Sequence, residues 1–156
     1  MLANIQKGET YESSLEALVK IKQASIKSSV MILNGLGGTQ LSEQHAIHSA
    51  QLMNEAQPEF LSTLVVSFPL GMERFTAGFE SNFEMLTQAQ LFSEMKILLE
   101  TLALDKTIFR SDHASNYLVL KGVLGQDKEK LLTQINTAIE RPTDIALREE
   151  WQPLLT

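Results

Sequence analysis

The sequence predicts an α/β fold built on a parallel sheet. Three short runs, Val30–Leu33, Phe60–Phe68 and Thr107–Phe109, are apolar or β-branched and alternate with longer segments of helical periodicity. The first run, Val30-Met31-Ile32-Leu33, shows no polar alternation, as expected of a strand buried on both faces. Strands that alternate with helices argue for βαβ units with parallel pairing. The predicted order is a helix followed by three strand–helix units, that is, three parallel strands in βαβαβα order with a preceding helix.

Each element has its own signal. Thr10 or Ser13 caps a first helix, and Ser13-Ser14-Leu15-Glu16 fits the spacing of a capping box. Leu15, Leu18, Val19 and Ile21 form its apolar stripe to about Ala24. The first strand is expected over 28–34, and Gly35, Gly37 and Gly38 then take the chain out of it. Ser42 is the expected N-cap of a second helix over about 42–56, with Ala46, Ala50 and Met53 on one face. Phe60-Leu61-Ser62-Thr63-Leu64-Val65-Val66-Ser67-Phe68 reads as the second strand, and Pro69 stops it. Residues 69–86 form one long ordered loop, expected to pack through Phe75, Phe79 and Phe83 and, by its length, to be a candidate for function. Thr87-Gln88-Ala89-Gln90 is a second capping-box candidate. Leu91, Met95, Leu98 and Leu102 follow it at helical spacing. Thr107–Phe109 is a short third strand, and 111–117 a polar connection. Asp127 is the expected cap of a helix over 128–140, ended by Pro142. Residues 143–156 form a C-terminal tail with one short helix expected around 145–151.

Composition narrows the function. A chain of 156 residues fits one domain and is long enough for a sizeable core. Its formal net charge of −6 suggests no basic face, so nucleic acid is not an expected partner. The chain has no cysteine, which excludes disulfides, thiolate zinc sites and any cluster ligated by its own thiolates. No apolar run reaches the length of a membrane span, and the N-terminus lacks the pattern of a signal peptide. A cytoplasmic protein with no membrane contact is the expectation.

In parallel α/β sheets ligands bind at the carboxyl ends of the strands. Here those ends are Asn34–Gly38, Ser67–Gly71 and Arg110–Asn116, also the most polar or Gly-rich places in the chain. A Gly-rich turn before a helix N-terminus can hold a small anionic group, although a tight turn without a ligand explains the same glycines. Gly35-Leu36-Gly37-Gly38-Thr39-Gln40 lacks the third spaced glycine of a dinucleotide fingerprint, and the second strand ends without an acid. His45 and His48 stand at i, i+3 on the second helix, but no third metal ligand is evident, so they read as a solvated helix face. Arg110 suits a carboxylate or phosphate by its forked donors. His113 fits either a proton shuttle or a partner of Asp112 in a self-bonded polar turn. No catalytic residue and no metal ligand is assigned.

With these residues in view, the chain resembles the C-terminal half of a radical S-adenosylmethionine (radical SAM) oxidoreductase, of the kind labelled oxygen-independent coproporphyrinogen III oxidase-like. The resemblance covers about residues 5–140. It rests on Lys7-Gly8-Glu9-Thr10, Val30–Gly38, Ser42-Glu43-Gln44-His45-Ala46, Pro58-Glu59-Phe60-Leu61 and Thr87 before the long helix. Its most specific part is Phe109-Arg110-Ser111-Asp112-His113-Ala114-Ser115-Asn116-Tyr117, with Leu120-Lys121-Gly122 and Asp127-Lys128.

That resemblance implies a partial (β/α) barrel. It further implies a [4Fe-4S] cluster on a C-x3-C-x2-C loop that cleaves S-adenosylmethionine in the full-length family. By the same resemblance Asn34, Gly35, Leu36, Gly37 and Gly38, together with Ser67 and Phe68, would lie beside the adenosyl part of the cofactor. Arg110, His113 and Asn116 would face the barrel mouth. The sequence departs from the family in lacking all three cluster cysteines and the first four strands, and Asp112 stands where Asn is expected. Met1 sits just upstream of what would be the fourth helix, so the expectation is a truncated gene or an excised fragment, inactive alone and with no cofactor bound. The implied partners are a homo-oligomer or the missing N-terminal half, because half a barrel leaves one edge and one face uncovered. The other reading is a free-standing α/β module that binds a phosphate-bearing small molecule or a partner chain at the strand ends.

Overall fold

A computed structural model describes residues 2–79 and 83–149. The helices are α1 (Tyr11–Gln23), α2 (Gly38–Ala56), α3 (Glu73–Thr76), α4 (Gln88–Thr101) and α5 (Lys128–Glu140). The strands are β1 (Ser29–Asn34), β2 (Phe60–Val65), β3 (Ile108–Ser111) and β4 (Leu120–Val123). The sheet order is β1-β2-β3-β4. β1 and β2 pair in parallel, as do β2 and β3, whereas β3 and β4 pair antiparallel. The protein is therefore α/β with a mostly parallel open sheet, and it has four strands among the described residues rather than the expected three.

The fourth strand, Leu120–Val123, has only four residues and carries Lys121 and Gly122. No periodicity marks so short a run. Its strand geometry comes from pairing with Ile108–Ser111 across the 112–119 connection.

Strand alternation sorts the side chains. Val30, Ile32 and Asn34 of β1, and Leu61 and Thr63 of β2, point toward the helices. One contiguous core joins Ile32, Leu61 and Phe109 of the sheet to Ala50 and Met53 of α2, Leu98 and Leu99 of α4, and Leu131 and Ile135 of α5. The helices α2, α4 and α5 stand side by side on that face, while α1 packs on α2. Burial of the large apolar side chains among these, Ala50 excepted, is worth roughly 1.5–3 kcal/mol each.

The other face of the sheet remains open. Met31 is 60% exposed, and Phe60 and Ile108 are each 37% exposed. The first strand is thus buried on one face only, which corrects the expectation from its unbroken apolar run.

Local signals match in part. Thr10 caps α1 in a capping box whose return partner is Ser13, and Thr87 caps α4 with Gln90 in the same way. Each box satisfies two backbone donors that the first helical turn leaves free. Helix α2 begins earlier than expected, with Gly37 and not Ser42 at its N-cap. Asp127 stands at the N-cap of α5, but its carboxylate makes no cap bond and accepts from the Val123 N–H at 2.8 Å. Strand β2 stops at Val65 and β3 runs to Ser111, so both differ from the expected bounds.

The tail departs further. After a 3-10 turn at Pro142–Asp144, residues 145–149 are not helical. Arg148 instead donates its backbone N–H to the Tyr117 carbonyl and one guanidinium nitrogen to the carbonyls of Asp112 and His113. The rest of the expected 145–151 helix lies outside the described residues.

Candidate functional site

Parallel pairing brings the carboxyl ends of β1, β2 and β3 to one end of the sheet, as βαβ logic requires. Asn34 at the end of β1 is followed by Gly35 at φ 82° and Gly38 at φ 57°, backbone that favours glycine. A Cβ on Gly38 would lie 2.7 Å from the Phe83 ring and 2.8 Å from the Glu84 carbonyl oxygen. The Glu84 carbonyl also accepts the Thr39 N–H at 3.0 Å. The close approach that Gly38 permits is therefore made by this chain's own loop, and one donor of the first turn of α2 is already used.

Phe83 belongs to an aromatic cluster with Phe68, Phe75 and Phe79. Phe75 lies 4.7 Å from Phe68 and 5.0 Å from Phe83 between ring centroids, within the usual range for aromatic pairs. Phe68 is thus a packing residue of the loop, while the neighbouring Ser67 is exposed. Residues 80–82 of the expected 69–86 loop lie outside the described residues.

Behind the Gly35 turn lies a buried carboxylate. Glu94 on α4 is 2% exposed. It accepts the Gly35 N–H at 3.0 Å and the Ser42 hydroxyl, and its Oε1 meets His45 Nδ1 at 3.1 Å. Three groups from β1's end and from α2 converge on one side chain of α4. Of the two histidines expected on a solvated face, His48 is exposed, but His45 is buried against Glu94. The shift of the helix start to Gly38 accounts for Ser42 as well, since a residue one turn inside a helix is free to bond sideways.

Sequence reasoning missed Glu94. The available signal was its spacing: Leu91, Glu94, Met95 and Leu98 stand at i, i+3, i+4 and i+7, which sets a carboxylate within an apolar stripe. A carboxylate there must be hydrogen-bonded on burial.

Asn116 is a strand mimic. Its Oδ1 accepts the Val65 N–H at 3.0 Å and its Nδ2 donates to the Thr63 carbonyl at 2.8 Å. The β2–β3 ladder ends at Ser62 and Arg110, so the carboxamide takes over where the next strand leaves β2. Asn34, Asn116 and Ser111 line a cleft of about 20 Å³ beneath the strand ends, room for about one water molecule. Within the described residues, Asn34 Oδ1 and Thr63 Oγ1 are buried and take no hydrogen bond from the protein.

Arg110 and His113 lie toward the other face. His113 Nδ1 accepts the Ser115 N–H at 3.2 Å and meets Ser115 Oγ at 2.9 Å, which leaves the proton of a neutral ring on Nε2. Lys121 pairs with Asp112 at 2.8 Å. The Lys121 hydrogen bond holds the Asp112 carboxyl below its ordinary range against the opposing effect of burial, with the charges of Lys121 and Arg110 adding to it. The exposed groove over the sheet has a volume of about 480 Å³, with Met31, Phe60, Leu64 and Ile108 beside Arg110.

The expected site residues therefore share one end of the sheet but not one face. Asn34 and Asn116 point into the helix-covered side, Gly35, Gly37 and Gly38 are buried near the loop, and Arg110 and His113 border the open groove. Among the described residues no three acids or histidines gather as a metal site, and no helix is long and apolar enough to cross a membrane. Comparison of the chain with protein-family models, curated proteins and solved structures yields no match.

Proposed function

We propose that this chain is the C-terminal part of a radical SAM oxidoreductase barrel and supplies wall rather than catalyst. The observation that carries this reading is the winding of the sheet. β1, β2 and β3 follow one another in sequential parallel order, with α2, α4 and α5 on one face and an open, largely apolar groove on the other. A doubly wound sheet covers both faces with helices, whereas a barrel wall covers only the outer one. The resemblance of the motifs from Val30–Gly38 to Asp127-Lys128 supports the family reading, and the winding of the first three strands is compatible with a place in a barrel wall.

The residues do not fit the iron–sulfur cluster, because the chain has no cysteine to ligate it. No redox step is assigned to them. For S-adenosylmethionine the fit is partial. Gly38 is covered by Phe83 and Glu84, so the accessible strand ends near Leu36 and Ser67 are the better candidates to approach an adenosyl group. The same cover weakens the alternative reading of a phosphate held at Gly35–Gly38, since the Thr39 N–H is already bonded to Glu84.

The test is the coding sequence directly upstream of the Met1 codon. A C-x3-C-x2-C motif preceded by a strand, followed by further βα units and read in the same or a neighbouring frame, is the expected result. An unrelated or oppositely oriented gene at that place overturns the proposal.

A further inference from the structure

We infer that the open face of the sheet binds a small amphipathic anion, with one acidic group on the Arg110 guanidinium and an apolar body across Met31, Phe60 and Ile108. This deepens the proposed function and rests on it for the claim that the groove is a substrate surface; the binding itself does not need the rest of a barrel.

The register sets these side chains side by side. Phe60 pairs with Ser29 on one side and Ile108 on the other, and Ser62 pairs with Met31 and Arg110. These residues belong to the side-chain set that points away from the helices, so two adjacent rows set Met31, Phe60 and Ile108, with Ser29 and Ser62 between them, beside the Arg110 guanidinium, whose neighbour on β4 is Lys121. The groove volume of about 480 Å³ falls within the ordinary range of small-molecule sites.

Charge decides the occupant. Asp112, which borders the groove, is taken by Lys121 at 2.8 Å. The Ser62 hydroxyl donates to the Val30 carbonyl, and His113 is engaged with Ser115. Among the described residues no acceptor lies within hydrogen-bond distance of the Arg110 guanidinium, although the Asp112 carboxylate is near enough to feel its charge. With Asp112 matched by Lys121, Arg110 leaves the groove with one excess positive charge. An exposed guanidinium at the rim of a groove that also holds Met31, Phe60 and Ile108 suits a carboxylate, sulfonate or phosphate with forked acceptor geometry. An uncharged apolar ligand would leave that donor set unmatched, and a cation would be repelled.

The experiment uses the full chain and two fluorescent probes of nearly the same ring system. One is 8-anilinonaphthalene-1-sulfonate, which carries an acidic group; the other is N-phenyl-1-naphthylamine, which is neutral. The expected result is saturable binding of the sulfonate probe at one site per chain. Arg110→Ala should raise its Kd at least tenfold and leave the Kd of the neutral probe within twofold. Phe60→Ser should weaken both probes, which locates them in the groove. Arg110→Lys should recover only part of the loss, because a point charge replaces a fork. An unchanged Kd for the sulfonate probe in Arg110→Ala overturns the inference, as does an equal loss for both probes with an unchanged circular dichroism melt. If Arg110→Ala itself unfolds, salt dependence of the unmutated protein decides. Binding of the sulfonate probe that falls with added salt while the neutral probe holds supports the inference, and no difference between them rejects it. Either failure leaves the upstream-gene test untouched, so the barrel reading and the anion site can fall separately.

Discussion

Replacing Glu94 by alanine removes the acceptor that ties three elements together, and its cost follows from the geometry. The carboxylate is 2% exposed. It receives the Gly35 N–H at 3.0 Å, the Ser42 hydroxyl, and the His45 ring at 3.1 Å. Glu94→Ala leaves all three of those groups without this acceptor and adds a cavity. Leaving a buried donor without its partner costs about 1–3 kcal/mol, and truncating a large buried side chain to alanine costs about 2–5 kcal/mol. The contributions overlap in one side chain, so the expected loss is about 3–5 kcal/mol rather than their sum. For a chain of this size each kcal/mol moves Tm by about 2–4 °C, so the variant should melt roughly 6–20 °C lower. Glu94→Gln keeps the shape and one acceptor oxygen and should lose clearly less. Thermal melts followed by circular dichroism, with hydrogen exchange at the Gly35 amide, measure both effects. Melting of Glu94→Ala within 2 °C of the unmutated protein, with the Gly35 amide still protected, refutes the assignment of Glu94 as the tie between α4, α2 and the β1 turn.

Other outcomes follow from single contacts. Asn116→Ala should cost about 2–3 kcal/mol and speed amide exchange at Val65, whose N–H the carboxamide accepts; normal protection there would show that the strand end does not need it. Thr87→Ala removes the cap of α4 and should cost about 1 kcal/mol in urea unfolding. The Tyr11 hydroxyl donates to Glu55 at 2.6 Å. That bond, assisted by burial and nearby acids, pushes the Tyr11 phenol up to about 12. A raised value means the neutral phenol is favoured in the folded state, so this stabilisation is complete below pH 10 and disappears as pH rises through about 12. Ultraviolet titration of tyrosinate should show one late transition that moves down toward the ordinary range in Glu55→Gln; identical curves for the two proteins would refute the pairing.

The backbone plan was legible because it depends on local patterning. The expected strand runs at Val30–Leu33 and Phe60–Phe68 are rich in β-branched and apolar residues, although the second strand stops at Val65, and helical spacing through Leu91, Met95 and Leu98 needs no distant partner. The box at Thr87 is satisfied within its own first turn, so its threonine announces it, whereas the first box forms between Thr10 and Ser13 and not over the expected Ser13–Glu16. Helix α5 likewise runs over the expected residues, although its Asp127 side chain bonds elsewhere.

The candidate site was legible only by position. The strand ends do share one end of the sheet, because parallel pairing alone requires it. Which face each side chain meets was not legible. Asn34 and Asn116 turn to the helices and Arg110 to the open groove, since that choice follows the pleat and the single layer of helices. By itself the sequence determined most of the local elements, the parallel order of the first three strands and the cysteine-free chemistry. Only the tertiary structure decided that Leu120–Val123 is a strand, that His45 is buried, and that Glu94 is held by residues 49 to 59 positions away. Each of these depends on a partner distant in the chain. A four-residue run has no period of its own, and a lone acid on an apolar stripe finds its donors only when β1, α2 and α4 have packed.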